Sequence, residues 1–255
     1  MAVEPRLIPC LLLKGEGLVK TVKFEKPNYI GDPRNAVKIF NEKEVDELAL
    51  FDIYASQENR DPQFELIEEI VTEAFMPVAY GGGIKSIDHV AQLFSIGVEK
   101  VVITSSALDN INLVRDCAQE FGSQSIAVCI DVKKSILGGY GLRSHGGKKK
   151  HSENPVQFAK KIVEEGAGEL MVNCIDRDGM MKGYDIPFVR SITSQVGVPV
   201  IACGGAGKLD DMVEAVKSGG AAAAAAGSIF VYQGRHRAVL ISYPERTKVR
   251  SLWGI

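Results

Sequence analysis

Eight short apolar runs punctuate the chain, near residues 7–13, 48–53, 77–80, 100–104, 125–131, 169–174, 198–203 and 222–226. Their apolar residues are consecutive rather than alternate, as in strands covered on both faces. Between them, apolar residues recur at helical spacing and predict helices over 63–75, 86–96, 109–121, 186–195 and 209–218. Two further helices are signalled by their starts. Asp32-Pro33 precedes Ala36, Val37, Ile39 and Phe40, and Asn154-Pro155 precedes Val156, Phe158, Ala159, Ile162 and Val163. Each supplies a capping side chain and then a proline suited to a first turn. Such regular alternation predicts a parallel α/β fold.

Landmarks in the first half recur in the second. Gly81-Gly82-Gly83-Ile84-Lys85 is matched by Gly204-Gly205-Ala206-Gly207-Lys208, 123 residues on. Asp46-Glu47-Leu48 is matched by Gly168-Glu169-Leu170, and Ser105-Ser106 by Gly227-Ser228, each 122 residues on. Cys10-Leu11-Leu12-Leu13-Lys14 is matched by Cys129-Ile130-Asp131-Val132-Lys133, 119 residues on, so Leu12 is the counterpart of Asp131. A repeat filling half the chain indicates two fused half-domains. With eight strands, the expected fold is a single (βα)8 barrel domain over residues 1–255, with half-barrels at about 5–121 and 122–232.

In such barrels the chemistry lies where strands end and βα loops begin. Asp131 and the Gly and Ser landmarks belong to that end, Glu47 and Glu169 to the opposite one. Two stretches depart from the pattern. Residues 134–153 are long for a βα connection and predict a hairpin or lid. The tail 233–255 lacks a clear amphipathic helix, so a departure from the usual last helix is expected.

The 45% hydrophobic content supports a substantial core, and a net charge of −2 gives no reason to expect nucleic acid. Lys148-Lys149-Lys150 reads as a solvated loop. No run is long enough for a membrane helix and no signal-peptide pattern opens the chain, so the expected compartment is cytoplasmic. The five cysteines form no CxxC, and four lie in or beside apolar runs as small buried hydrophobes. No metal spacing and no cofactor motif is present.

The glycine clusters carry the clearest chemistry. A Gly-rich turn between strand and helix lets backbone N–H groups approach an anion. Gly82 and Gly83 with Thr104 and Ser105 form one candidate cradle, and Gly204 and Gly205 with Gly227 and Ser228 the other. Two cradles fit a ligand with phosphate at both ends; the plainer reading is that the glycines only permit tight turns. Asp131, ending an apolar strand, is the candidate acid–base group, with capping as its alternative. Asp178, before Gly179 in Asp176-Arg177-Asp178-Gly179, is either a ligand contact or a turn residue. Of the four histidines only His145 is a site candidate, on condition that its long loop closes.

These residues resemble the cyclase subunit of imidazole glycerol phosphate synthase over residues 5 to about 232. The resemblance is carried by Ile8-Pro9-Cys10-Leu11, Gly31-Asp32-Pro33, Asp46-Glu47-Leu48, Tyr80-Gly81-Gly82-Gly83-Ile84, Phe121-Gly122-Ser123-Gln124, Asp176-Arg177-Asp178-Gly179 and Gly204-Gly205-Ala206-Gly207. It implies a (βα)8 barrel that binds a doubly phosphorylated ligand, a glutaminase partner in a heterodimer, and ammonia entering at the N-terminal face and travelling through the core. It also implies two catalytic aspartates, of which Asp131 is one and Leu12 replaces the other. The family's charged entrance ring matches Arg6, Glu47, Lys100 and Glu169. Its Asn-Thr after strand four reads Thr104-Ser105 here, and its serine before the second glycine pair reads Cys203.

Cys10-Leu11-Leu12, the segment Ile39–Glu47 and Arg237-Ala238-Val239-Leu240-Ile241-Ser242-Tyr243-Pro244 are similar to a divergent branch of that family associated with surface-polysaccharide (lipopolysaccharide) genes. The leading expectation is therefore a barrel that passes ammonia to a sugar amidotransferase converting an acetamido to an acetamidino sugar. The alternative is an active imidazole glycerol phosphate cyclase of histidine biosynthesis, and a third reading is a non-catalytic scaffold for a phosphorylated ligand.

Overall fold

The computed structural model describes residues 4–135 and 138–253. Among them, eight parallel strands form the barrel: β1 (Arg6–Lys14), β2 (Leu48–Asp52), β3 (Val78–Gly81), β4 (Lys100–Ile103), β5 (Ile126–Lys134), β6 (Glu169–Cys174), β7 (Val200–Cys203) and β8 (Ala223–Ala226). Each pairs with the next, β8 pairs with β1, and β5–β6 completes the ring. The expected (βα)8 barrel is the observed fold. The eight predicted strands match to within two residues at most ends, β5 running three residues longer.

Helices cover the outside: α1 (Pro33–Glu42), α2 (Phe64–Thr72), α3 (Ile87–Ser95), α4 (Asn112–Phe121), α5 (Pro155–Glu164), α6 (Ile186–Thr193), α7 (Leu209–Lys217) and α8 (Arg246–Trp253). The repeated start signal works identically in both halves. Asp32 Oδ1 accepts from Arg34 N at 2.8 Å and Asn35 N at 3.4 Å, and Asn154 Oδ1 accepts from Val156 N at 2.9 Å and Gln157 N at 3.3 Å. Behind these caps, Ala36, Val37 and Phe40 of α1, and Phe158, Ala159 and Ile162 of α5, face the sheet and are buried. Each cap satisfies N–H groups that the first helical turn leaves unpaired.

Parallel pairing sends alternate side chains inward. The inner cluster holds Ile8, Cys10, Ala49, Ala79, Val102, Ala127, Cys129, Met171, Ile201, Ala223 and Ala225. Bulky branched residues are the rule in such barrels, yet five of these eleven are alanine, so this interior is lined by unusually short side chains. Of the alanine run, Ala223 and Ala225 point inward, while Ala224 and Ala226 pack outward against the helices.

Two departures concern loops and the tail. A hairpin with no counterpart among the predicted elements, strands Gly17–Val22 and Glu25–Gly31, follows β1. The 134–153 stretch folds as a hairpin, as expected: Tyr140–Ser144 runs antiparallel to β5, with Asp131 opposite Arg143, and Lys149–Lys150 pairs back; residues 136–137 lie outside the described residues. The tail departs from the usual last helix, as expected: a small hairpin (Tyr232–Gln233 with Ala238–Val239) delays that helix, and α8 packs beside α7. Its short length and single buried residue, Val249, explain why no stripe is readable. No helix among the described residues is long and apolar enough to cross a membrane.

The crowded interior gives a first prediction. Ala225 is fully buried among Ile8, Ile201 and their neighbours, so Ala225→Leu overpacks the barrel and lowers unfolding stability by about 1–3 kcal/mol. Chemical denaturation checks this; wild-type stability in the variant would mean that the interior has room to spare.

Candidate functional site

The strand ends and their loops enclose a cavity of about 390 Å³ at the C-terminal face. Every predicted mouth residue lines it: Gly82, Gly83, Thr104, Ser105, Asp131, Asp178, Gly179, Gly204, Gly205, Gly227 and Ser228, together with Leu12. The hairpin after β1 contributes Lys20, Thr21, Lys23, Phe24 and Glu25, and the later hairpin contributes Gly146, Gly147 and Lys148.

Both readings of the glycines find support. Gly82 and Gly83 (φ +125° and +72°) and Gly204 and Gly205 (φ +78° and +129°) adopt backbone conformations that side chains resist. A Cβ on Gly82 would also meet the Asp52 backbone, and one on Gly205 the Gly183 carbonyl. Tight turning thus explains these four without a ligand. Gly227 is different: its φ is ordinary, and the atom that a Cβ would strike is Lys20 Nζ. Lys20 is 4% exposed, and among the described residues its ammonium forms no hydrogen bond or ion pair, although its charge is felt by Asp178. Lys20 therefore sets a cationic group against the Gly204/Gly205/Gly227/Ser228 turn, which the glycines alone do not supply.

Asp131 is 8% exposed and accepts a hydrogen bond from Asn173 Nδ2 at 2.9 Å, with Cys129 Sγ at 3.8 Å. Burial raises its carboxyl, the Asn173 hydrogen bond opposes this, and the Asp178 charge adds to the rise, giving a pKa of about 6. That value suits proton transfer near neutral pH. Asp178 is raised by burial too, against the opposing pull of Lys20 and Thr21. It also has a structural task, since Thr21 Oγ1 donates to its Oδ2 at 3.4 Å and Lys23 N donates to its carbonyl at 2.9 Å. Asp178 so fastens the first hairpin over the mouth while facing the cavity. Leu12 stands on the same wall and offers neither donor nor acceptor.

His145 is not brought into the cavity. Its backbone N–H donates to Ser105 Oγ at 3.0 Å, while its ring turns to Ser144 Oγ (2.9 Å) and toward Asp109 (3.7 Å). The loop does close, and it ties itself to the first cradle through this backbone contact. Gly146 and Gly147 then pack against Gln57, Ile175 and Phe24.

At the other end of the barrel four charges meet. The Arg6 guanidinium is hydrogen-bonded to both Glu47 and Glu169, and Lys100 Nζ reaches Glu169 at 2.6 Å and Glu47 at 3.2 Å. Signs alternate around a closed circuit. The glutamate side chains are only 7% exposed, against 29% for Arg6 and 17% for Lys100, so these are not four independently solvated surface charges. Burial works against the Arg6 charge, but the Glu169 and Glu47 carboxylates outweigh it and its pKa is raised.

Two residues escaped sequence reasoning. Lys20 sits in a polar stretch that reads as solvated loop. Asn173 interrupts the apolar run Leu170-Met171-Val172, and a buried amide there was a usable signal. Its Oδ1 is buried without a hydrogen-bond partner, and the residue lines the cavity. The thiols of Cys10, Cys129 and Cys203 border the mouth from three strands.

A closed parallel barrel with glycine turns, a buried acid and a lysine gathered at its C-terminal mouth is a (βα)8 protein with its candidate site at that mouth. A family model described as histidine biosynthesis protein matches residues 6–237, and the chain belongs to that family. It is 52% identical over 97% of its length to a Pseudomonas aeruginosa protein named "Putative imidazole glycerol phosphate synthase subunit hisF2", of which 98% is covered. Similarly named subunits of Leptospira borgpetersenii (46% identity, 98% of this chain and 99% of that one) and Vibrio vulnificus (47%, 95% and 94%) match equally completely.

The Asp131 environment sets a pH prediction. Its folded pKa of about 6 exceeds the ordinary 3.8, so the folded state holds the proton longer. The stability this contributes is present below about pH 4 and lost as pH rises through about 6. Asp131→Asn should therefore be more stable than wild type by about 3 kcal/mol at pH 8 and by little at pH 4. Equal stability differences at both pH values, measured by denaturation, would contradict the burial of this charge.

Proposed function

We propose that this chain is the synthase-type barrel of a two-subunit, glutamine-dependent enzyme. A glutaminase docks on the N-terminal face, its ammonia passes the Arg6/Glu47/Lys100/Glu169 ring and the alanine-rich interior, and a phosphorylated ligand at the mouth receives it. One observation carries this reading: a closed, largely buried charge circuit stands at one end of the same barrel whose other end holds Asp131, Asn173 and the unpaired Lys20. A charge circuit that can rearrange by exchanging partners blocks bulk water while admitting a small neutral molecule. Alanine side chains leave room above it and keep the path apolar.

The acceptor reaction has two readings. The relatives' names support imidazole glycerol phosphate formation, with Asp131 as the acid–base group. In that reaction Asp131, buried beside Asn173, works without a partner at position 12, and Asp178 is the carboxylate whose charge acts on it. Leu12 favours the second reading, in which ammonia is delivered onward to amidate an acetamido sugar: loss of one of two acid–base groups removes about 10²–10⁴-fold of rate. On either reading the partner is a glutaminase, and on the second a sugar amidotransferase as well.

Mixing the chain with a glutaminase subunit of the synthase type tests the shared claim. Glutamine hydrolysis should rise, and Lys100→Ala should change that stimulated rate without abolishing the complex. Absence of both complex and stimulation would sink the proposal. Complementation of a strain lacking its histidine cyclase separates the two acceptors. Growth without histidine supports the first reading, and Leu12→Asp should then increase the rate; no growth with wild type or Leu12→Asp supports the second.

A further inference from the structure

After β8 the chain passes through the short helix Ser228–Val231 and the small hairpin, then runs extended back down the barrel wall. Leu240 N donates to the Val231 carbonyl at 3.0 Å and Ser242 N to the Phe230 carbonyl at 2.8 Å, which sets the Tyr243 ring against Phe230 with centroids 5.4 Å apart. The Tyr243 hydroxyl then reaches β1 at its entrance end. It donates to the Leu7 carbonyl at 3.0 Å and lies 3.3 Å from Asp46 Oδ2, and that same oxygen accepts from Leu7 N at 3.2 Å. Leu7 follows Arg6 in sequence, and Asp46 precedes Glu47.

The start of β1 needs this help. Cys10 is level with Ala49, so Arg6, Leu7 and Ile8 extend below Leu48, the first residue of β2. On the other edge these residues run level with Ala223–Ala225 of β8, but backbone groups facing β2 fray unless something pairs with them. The Arg6 guanidinium must also stay between two carboxylates, an arrangement that tolerates little backbone movement. Burial and then the Asp46 carboxylate raise the Tyr243 phenol, which keeps it protonated as a donor.

We propose that Tyr243 is a positioning residue for the entrance ring: with Asp46 it fixes the Leu7 backbone and thereby the neighbouring Arg6 and Glu47. The tail thus acts on the end of the barrel opposite to the cavity. The inference rests on the entrance reading above.

Tyr243→Phe removes one oxygen and keeps the ring on Phe230; Asp46→Asn probes the carboxylate half with its shape retained. Exchange of the Arg6 guanidinium protons, followed by NMR in the full chain alone, reads the ring directly. Both variants should speed that exchange about fivefold, the population change that loss of one ordinary hydrogen bond gives, with the unfolding midpoint of Tyr243→Phe within about 2 °C of wild type. In the complex, Tyr243→Phe should shift kcat for glutamine hydrolysis in the same direction as Lys100→Ala, with KM within about twofold. Unchanged Arg6 exchange in Tyr243→Phe overturns the proposal. So does a glutaminase rate that responds to Lys100→Ala but not to Tyr243→Phe. A rate indifferent to Lys100→Ala counts instead against the entrance reading, and the Arg6 exchange then decides the role of Tyr243 by itself.

Discussion

The pairing of β5 with β6 is the constraint on which the rest depends. It lies within the second half-barrel and runs over six residues, from Glu169 opposite Ala127 to Cys174 opposite Val132. Parallel register then sends Glu169, Met171 and Asn173 inward from one strand and Ala127, Cys129 and Asp131 from the other. One end of this seam supplies Glu169 to the charge ring, and the other sets Asn173 beside Asp131. Four residues of strand separate the two, roughly 13 Å at the usual rise. A register slip of one residue would turn both functional ends outward together. Entrance and mouth are therefore two ends of one set of hydrogen bonds.

The two ends handle charge in opposite ways. At the entrance, two cations and two anions neutralise one another, and a ring of this kind tolerates burial because each member has two partners. At the mouth, neither Asp131 nor Lys20 forms an ion pair among the described residues, Leu12 contributes no charge, and Asn173 keeps one acceptor unpaired. Unsatisfied groups of this kind are what a protein retains for a ligand. The duplication makes the asymmetry plain, since Leu12 and Asp131 occupy equivalent strands and only one carries chemistry. A second carboxylate at position 12 would add a like charge to a mouth whose acid is already raised to about 6 by burial.

Much of this was legible in the residues. Strands covered on both faces appear as apolar runs, so all eight barrel strands could be placed, and the Asp32-Pro33 and Asn154-Pro155 signals located their helices to the residue. The mouth residues were found because strand ends in a barrel converge on one face. What stayed hidden depended on tertiary burial of polar groups. Lys20 and Thr21 are buried in the hairpin after β1, yet Lys20-Thr21-Val22-Lys23 looks like exposed loop, and Lys23 and Phe24 adopt positive φ with no glycine to announce the turn. The closing helix α8 was missed because one buried valine makes no periodic stripe. Tyr243 was invisible as an entrance residue because its partners lie more than 190 positions away.

The central claim is that the ring, the interior and the mouth form one path for ammonia. It is tested most directly by isotope competition in the complex with glutaminase. Glutamine labelled with ¹⁵N at its amide is supplied together with excess unlabelled ammonium, and the label in the aminated product is measured. The account predicts product carrying the glutamine label undiluted, because ammonia reaches the mouth without meeting the bulk. Product diluted to the isotope ratio of the surrounding ammonium would contradict it.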